Sequence, residues 1–164
     1  MAPLIKPIYG ENYDLHWQAV NVSGKTILDV GADVGSTATY FLNKNALLVY
    51  AVEGNIDYFN MLEQNVQSEP KIKPIFLFIN NTQKWVELLN LKPDVVKVDC
   101  EGCEKYLLDV PDSIFSVVRE WMIEAHDDTL FPNIMVKLRA NNYIASFYEY
   151  TNHLKVCVAW YPKQ

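Results

Sequence analysis

The sequence predicts an α/β fold: a mostly parallel seven-stranded sheet with helices on both faces and a closing antiparallel hairpin. Three observations carry this. Apolar, β-branched runs alternate with helical patterns three times in succession before Asp99; a glycine-bearing turn, LDVGADVGS, follows the first run; and the last two runs, YIASFYEY and LKVCVAWYP, are separated only by Thr-Asn-His. Right-handed crossovers force the alternating part into a parallel sheet covered on both sides, whereas a three-residue link permits only a hairpin.

Each element has a local reason. ENYDLHWQAV reads as a covering helix ahead of the sheet, and TILDV (Thr26 to Val30) is short and apolar, as a doubly buried strand should be. In GSTATYFLNKN, Ser36 is expected to cap a helix that ends at Asn43 or Asn45. ALLVYAVEG returns to strand, and IDYFNMLEQNV is helical, with Ile56, Phe59, Met61, Leu62 and Val66 near one stripe. IKPIFLFIN is the third strand. TQKWVELLNL forms a helix from the spacing of Trp85, Leu88 and Leu89, stopped by Lys92-Pro93 before the fourth strand, DVVKVD. A short helix over Glu104 to Asp109, a break at Pro111, a fifth strand in FSVVREWMIEA and a helix in FPNIMVKLRANN complete the order. With 164 residues, half of them hydrophobic, the chain is expected to form one domain over residues 1–164.

Charge and composition narrow the function. The formal net charge is −6, and no Lys/Arg cluster reverses it locally, so no nucleic-acid partner is expected. MAPLIKPIYGENYD lacks the apolar run of a signal peptide and no later segment approaches a membrane span, so a soluble, cytoplasmic protein with no membrane partner is expected. Three cysteines do not make a disulfide framework, and reduced thiols are expected.

In an open sheet of this kind the ligand crevice lies at the carboxyl ends of the strands, beside the first glycine turn. Gly31 and Gly35 are four apart with no glycine between them, so the G-x-G-x-x-G dinucleotide pattern is not met. Asp29 at the end of the first strand opposes a pyrophosphate and favours a cationic amine. Glu53 lies 22 residues after Gly31 (53 minus 31), close to the spacing of about 20 that sets an acid against ribose hydroxyls. Asn80 and Asn81 close the third strand, where an amide can meet an adenine edge.

With these residues in view, the chain resembles the S-adenosylmethionine-dependent class I methyltransferases, and within them the FkbM family. LDVGADVGS is similar to that family's D-x-G-A-N-x-G turn, with Asp33 where Asn is usual; VEGN is similar to its acid after the second strand; VKVDCEGCE is similar to its K-x-D-x-E-G-x-E. The resemblance implies the Rossmann-like class I methyltransferase fold, with S-adenosylmethionine held by Asp29, Gly31, Ala32, Asp33, Gly35, Ser36, Glu53, Gly54, Asn80, Asn81 and Asp99. It further implies O-methylation of a hydroxyl on a small-molecule acceptor such as a sugar.

The stretch VKVDCEGCEKY poses a choice between its cysteines and its acids. Zinc needs about four ligands, and the only other cysteine is Cys157. A redox pair is expected after the opening strand of a smaller unit. The reading adopted therefore gives the chemistry to the acids and assigns no metal ligands. A period of two directs Asp99 and Glu101 to one side and Cys100 to the other; Glu124 and His126 at the end of the fifth strand join them if the strands are neighbours. Asp99, Glu101 and His126 are the candidate proton acceptors, with His126 expected near neutrality; a hydrated acidic rim without catalysis is the alternative. A non-catalytic S-adenosylmethionine-binding module and a nicotinamide oxidoreductase remain as rival functions.

Overall fold

The computed structural model describes residues 12–151 and 154–162. The leader expectation for the first eleven residues, and the middle of the final hairpin link, lie outside them. The seven strands are β1 (Thr26–Val30), β2 (Leu48–Glu53), β3 (Ile72–Phe76), β4 (Val95–Val98), β5 (Glu120–Ala125), β6 (Ile144–Thr151) and β7 (Leu154–Trp160). They form a single sheet in the order β3-β2-β1-β4-β5-β7-β6. Pairing is parallel from β3 to β5, while β7 runs antiparallel to both β5 and β6. The expected sheet and hairpin are both present.

Two cores sandwich the sheet because successive strand residues point to opposite faces. Ile27, Val49, Val95 and Met122 pack under α2 (Ser36–Asn43), α3 (Ile56–Val66) and the segment around Trp17. Leu28, Val52, Val96 and Trp121 pack under α4 (Thr82–Leu89) and α6 (Leu130–Ala140), with Phe115 of the four-residue α5 (Asp112–Phe115) stacked on Trp121. The N-terminal covering helix is only α1 (Tyr13–His16).

Local differences have local causes. Gly35, not Ser36, is the α2 N-cap; it is left-handed (φ 96°) and makes no side-chain cap, while Ser36 is the first helical residue. In α3 only Leu62 and Val66 are buried, whereas Ile56 and Met61 are exposed, since the sheet below covers a narrower stripe than the apolar residues span. β3 stops at Phe76, and Pro74 sits in this edge strand, where its missing N–H costs no ladder bond to a further strand. Phe115 ends α5 and Ser116 and Val117 form a turn, so β5 begins only at Glu120.

Candidate functional site

The crevice lies where strand order reverses, between β1 and β4, and opens into a cavity of about 750 Å³ at the carboxyl ends of β1, β2 and β4. Its floor is the β1–α2 turn. The N–H groups of Gly31 and Ala32 both donate to Val52 O (3.0 Å each), which folds the turn back over β2. Gly31 is left-handed (φ 78°), and a Cβ there would lie 1.7 Å from Asp99 O, so only glycine lets the β4 loop close against this turn.

Glu53 builds the cavity wall. Its Oε2 accepts from the Asp33 N–H (2.9 Å) and its Oε1 from the Asn55 N–H (2.7 Å), so the residue is 9% exposed and ties two turns together. Each carboxylate oxygen retains a further lone pair for hydroxyls in the cavity. Asp33 Oδ1 and Ser36 Oγ are buried, belong to cavity-lining residues and have no hydrogen-bond partner among the described residues. Burial, followed by the Glu53 charge, pushes the Asp33 carboxyl up. Unpaired buried oxygens are costly unless a ligand meets them, so these fit a polar nucleoside-bearing cofactor.

Three residues expected to contact the cofactor lie outside the cavity lining. Asp29 is fully buried, outside the cavity lining: its Oδ1 lies 3.0 Å from Lys97 Nζ and its Oδ2 accepts from the Thr37 hydroxyl (2.6 Å). The cationic amine that satisfies it belongs to the protein. Gly35 is also outside the lining and packs against Leu62 and Val66. Asn81 caps α4, its Oδ1 accepting from the Lys84 N–H (3.1 Å); of the asparagine pair only Asn80 reaches the cavity. Gly31, Ala32, Asp33, Ser36, Glu53, Gly54 and Asp99 all line it.

Lys97 opens the K-x-D-x-E-G-x-E pattern but has no role assigned from the sequence. It has no exposed surface, donates to Gly31 O (2.8 Å), lies 3.9 Å from Asp99 and is roofed by the Trp17 ring. Burial pulls its pKa down, but Asp29 and Asp99 outweigh burial and hold it above the ordinary lysine value.

The rim beyond Asp99 is an ion cluster centred on His126. Its Nδ1 lies 2.7 Å from Glu104 Oε1, and its Nε2 lies 3.3 Å from Asp99, 3.2 Å from Glu124 and 3.5 Å from Glu101. Asp99, Glu101, Glu124 and His126 therefore converge as expected, although Glu101 arrives through a turn (φ 55°) and not along a strand. Burial lowers the pKa of His126, yet hydrogen bonds to Asp99, Glu104 and Glu124 carry it up to about 12. The expectation of near-neutral titration is thus corrected: at neutral pH this ring carries a proton on both nitrogens. Burial also raises Glu124, but His126 and His16 outweigh it and bring the carboxyl down to about 2. Glu104, fully buried and bonded also to the Gly102 N–H (2.8 Å), went unassigned although it ends the K-x-D-x-E-G-x-E pattern. Asp99, Glu101 and His126 bring ligand atoms within 4.8 Å of one another and could hold a cation only after the ring loses a proton.

Cys100 and Cys103 are joined by a disulfide, where the sequence reading expects free thiols. The left-handed turn at Glu101 and Gly102 brings the two Cα atoms to 5.5 Å and puts both cysteines in the cavity lining.

No protein-family profile matches the chain. It is 30% identical over 132 residues to uncharacterized protein 65 of Sulfolobus islandicus filamentous virus (isolate Iceland/Hveragerdi), covering 74% of this chain and 72% of that one. The chain belongs to the family of that viral protein. Uncharacterized protein 158B of Sulfolobus islandicus rod-shaped virus 1 is 29% identical over 121 residues, with 74% and 73% covered. Among solved structures, a precorrin-6y C5,15-methyltransferase from Geobacter metallireducens superposes with a TM-score of 0.68 at 14% identity, covering 99% of this chain and 93% of that one. M. capricolum TrmK in complex with S-adenosylhomocysteine gives 0.67 at 19% (92% and 68%), and the Methanococcus jannaschii fibrillarin pre-rRNA processing protein 0.64 at 18% (87% and 69%). The fold is that of the class I S-adenosylmethionine-dependent methyltransferases.

These likenesses overturn one expectation. A small-molecule acceptor and the exclusion of nucleic acid do not stand, since the same fold serves a pre-rRNA processing protein. Net charge is an average over the surface and does not decide what reaches one cavity. Among the described residues no helix is long and apolar enough to cross a membrane.

Proposed function

We propose that this chain is an S-adenosylmethionine-dependent methyltransferase acting on an acceptor oxygen at the Asp99–Glu101 rim. The observation that supports it most is the cavity edge: a Glu53 carboxylate fixed by two backbone N–H groups, in the same lining as Asp33 and Ser36, whose Oδ1 and Oγ are buried and unpartnered among the described residues. S-adenosylmethionine bound there supplies a methyl group activated on a sulfonium. Glu53 offers its free lone pairs to ribose hydroxyls, while Lys97 keeps Gly31 O and the Asp99 carboxylate in place.

Methyl transfer is an in-line displacement, so holding the acceptor about 3 Å from the methyl carbon is most of the catalysis. The protonated His126 ring does not take the acceptor proton; it holds the carboxylates of Asp99 and Glu101 together, and these offer the basic oxygens. Asp99 serves as the proton acceptor because it lines the cavity and is mostly buried, whereas the Glu101 side chain is 85% exposed. Calorimetry with S-adenosylhomocysteine and, in parallel, NAD tests the cofactor: binding of the first alone is expected. Preference for NAD, or indifference to both, overturns the reading.

A further inference from the structure

Cys100 and Cys103 take no part in the chemistry above, yet they form a covalent bond in the wall of the same cavity. Cys100 is partly exposed and Cys103 is 6% exposed, so an incoming thiolate meets the Cys100 sulfur first. The third cysteine, Cys157, is fully buried in β7, and burial pushes its thiol up to about 12. It can neither compete for the bridge nor react readily with a reagent in solution.

We propose that Cys100–Cys103 is a thiol–disulfide exchange site, open to a neutral dithiol through the cavity, whose reduction unlocks the loop that carries Asp99 and Glu101. The electrons balance simply. A reductant thiolate attacks Cys100 Sγ, the Cys100–Cys103 bond breaks, and Cys103 leaves as a thiolate that takes a proton from water. The reductant's second thiol then attacks its own half of the mixed disulfide. Cys100 is released as a thiol, and the reductant departs as a cyclic disulfide, two electrons having entered the protein. The Asp99 and Glu101 carboxylates are paired with the His126 ring and Lys105 lines the same cavity, so charge does not select the reductant; a neutral dithiol is the fitting class because its second thiol closes its own ring and frees Cys100.

The loop has reason to move once the bridge opens. Glu101 (φ 55°) and Gly102 (φ 117°) are both left-handed, a conformation that a side-chain-bearing residue keeps only when its surroundings hold it. The bridge spans these two residues. Beside the bridge, the loop is held by the Gly102 N–H to Glu104, the Trp85 indole N–H to Cys103 O (3.0 Å), the Asp99 N–H to Val30 O (3.0 Å) and the His126 ring against Asp99 and Glu101. Asp99 O presses on Gly31, which connects relaxation of the loop to the floor of the cofactor cavity.

The test uses the full chain, folded, with iodoacetamide labelling and intact-mass analysis. No label is expected before reduction and two after brief dithiothreitol treatment, on Cys100 and Cys103, with Cys157 unlabelled until the protein is denatured; glutathione at equal thiol concentration yields fewer. Labelling of both cysteines without reductant, or none after dithiothreitol, overturns the site. The coupling rests on the cofactor reading above and is measured separately, by calorimetry with S-adenosylhomocysteine on oxidised protein, reduced protein and the Cys100→Ser/Cys103→Ser variant. Affinity at least about fivefold weaker without the bridge is expected. Equal affinity in oxidised and reduced wild type overturns the coupling even if the double variant fails to fold, whereas no binding in either state counts against the cofactor reading and leaves the labelling result standing.

Discussion

Asp29 and Lys97 are register partners across β1 and β4, with Oδ1 and Nζ 3.0 Å apart and neither side chain exposed. Removing one partner of such a pair leaves an uncompensated buried charge, at a cost of roughly 3–5 kcal/mol. Lys97→Met is therefore expected to lower stability in urea by that order, and adding Asp29→Asn to recover part of it. A double variant no more stable than the single one would show that charge is not the cause.

Glu53 holds Asp33 and Asn55 by their backbone N–H groups while facing the cavity. Glu53→Ala strips two N–H groups, in part-buried hydrogen bonds, of their acceptor, so a stability loss of about 1 kcal/mol is expected together with weakened S-adenosylhomocysteine binding. Thermal unfolding and calorimetry on the same preparation check it; an unchanged melting temperature contradicts the structural half.

The Glu124–His126 pair sets the pH range of stability. His126 is raised from 6.5 to about 12, so its contribution is full below pH 6.5 and is lost as pH climbs towards 12. Glu124 is lowered from 4.5 to about 2, so its contribution is full above pH 4.5 and is lost as pH falls towards 2. Unfolding free energy from these groups should peak between pH 4.5 and 6.5, and His126→Gln should flatten the alkaline decline. The same alkaline slope in the variant would locate the titration elsewhere.

Asn81→Ala removes the α4 cap and should cost about 1 kcal/mol while leaving S-adenosylhomocysteine affinity unchanged. A loss of affinity without a loss of stability would return Asn81 to the adenine site.

What could be read from the sequence, and what could not, follows the range of the forces involved. β1 and α3 end where their patterns end, because strand burial and helix periodicity are written in neighbouring residues. The convergence of Asp99 with His126 was also legible, since it needs only that β4 and β5 be neighbours. What escaped was pairing across the sheet: Asp29 alone suggests a cationic ligand, and only the β1–β4 register reveals that Lys97 answers it. His126 alone suggests a titrating base, until Glu104 and Glu124 fix its proton from residues 22 before and 2 before it in the chain. The disulfide escaped because alternation was extended past Val98, where β4 ends, through Glu101 and Gly102, where the backbone turns left-handed.

The place of β7 between β5 and β6 carries a consequence for assembly during synthesis. β5 is complete at Ala125, but its outer neighbour is not made until Leu154–Trp160, after α6 and β6 have been added. Until then the nascent sheet presents β5 as a bare margin, with unpaired amides beside Trp121, the kind of surface on which incomplete chains aggregate. β7 is thus made after β6 yet inserts between β5 and β6, so the β5 margin stays uncovered until β7 pairs with it.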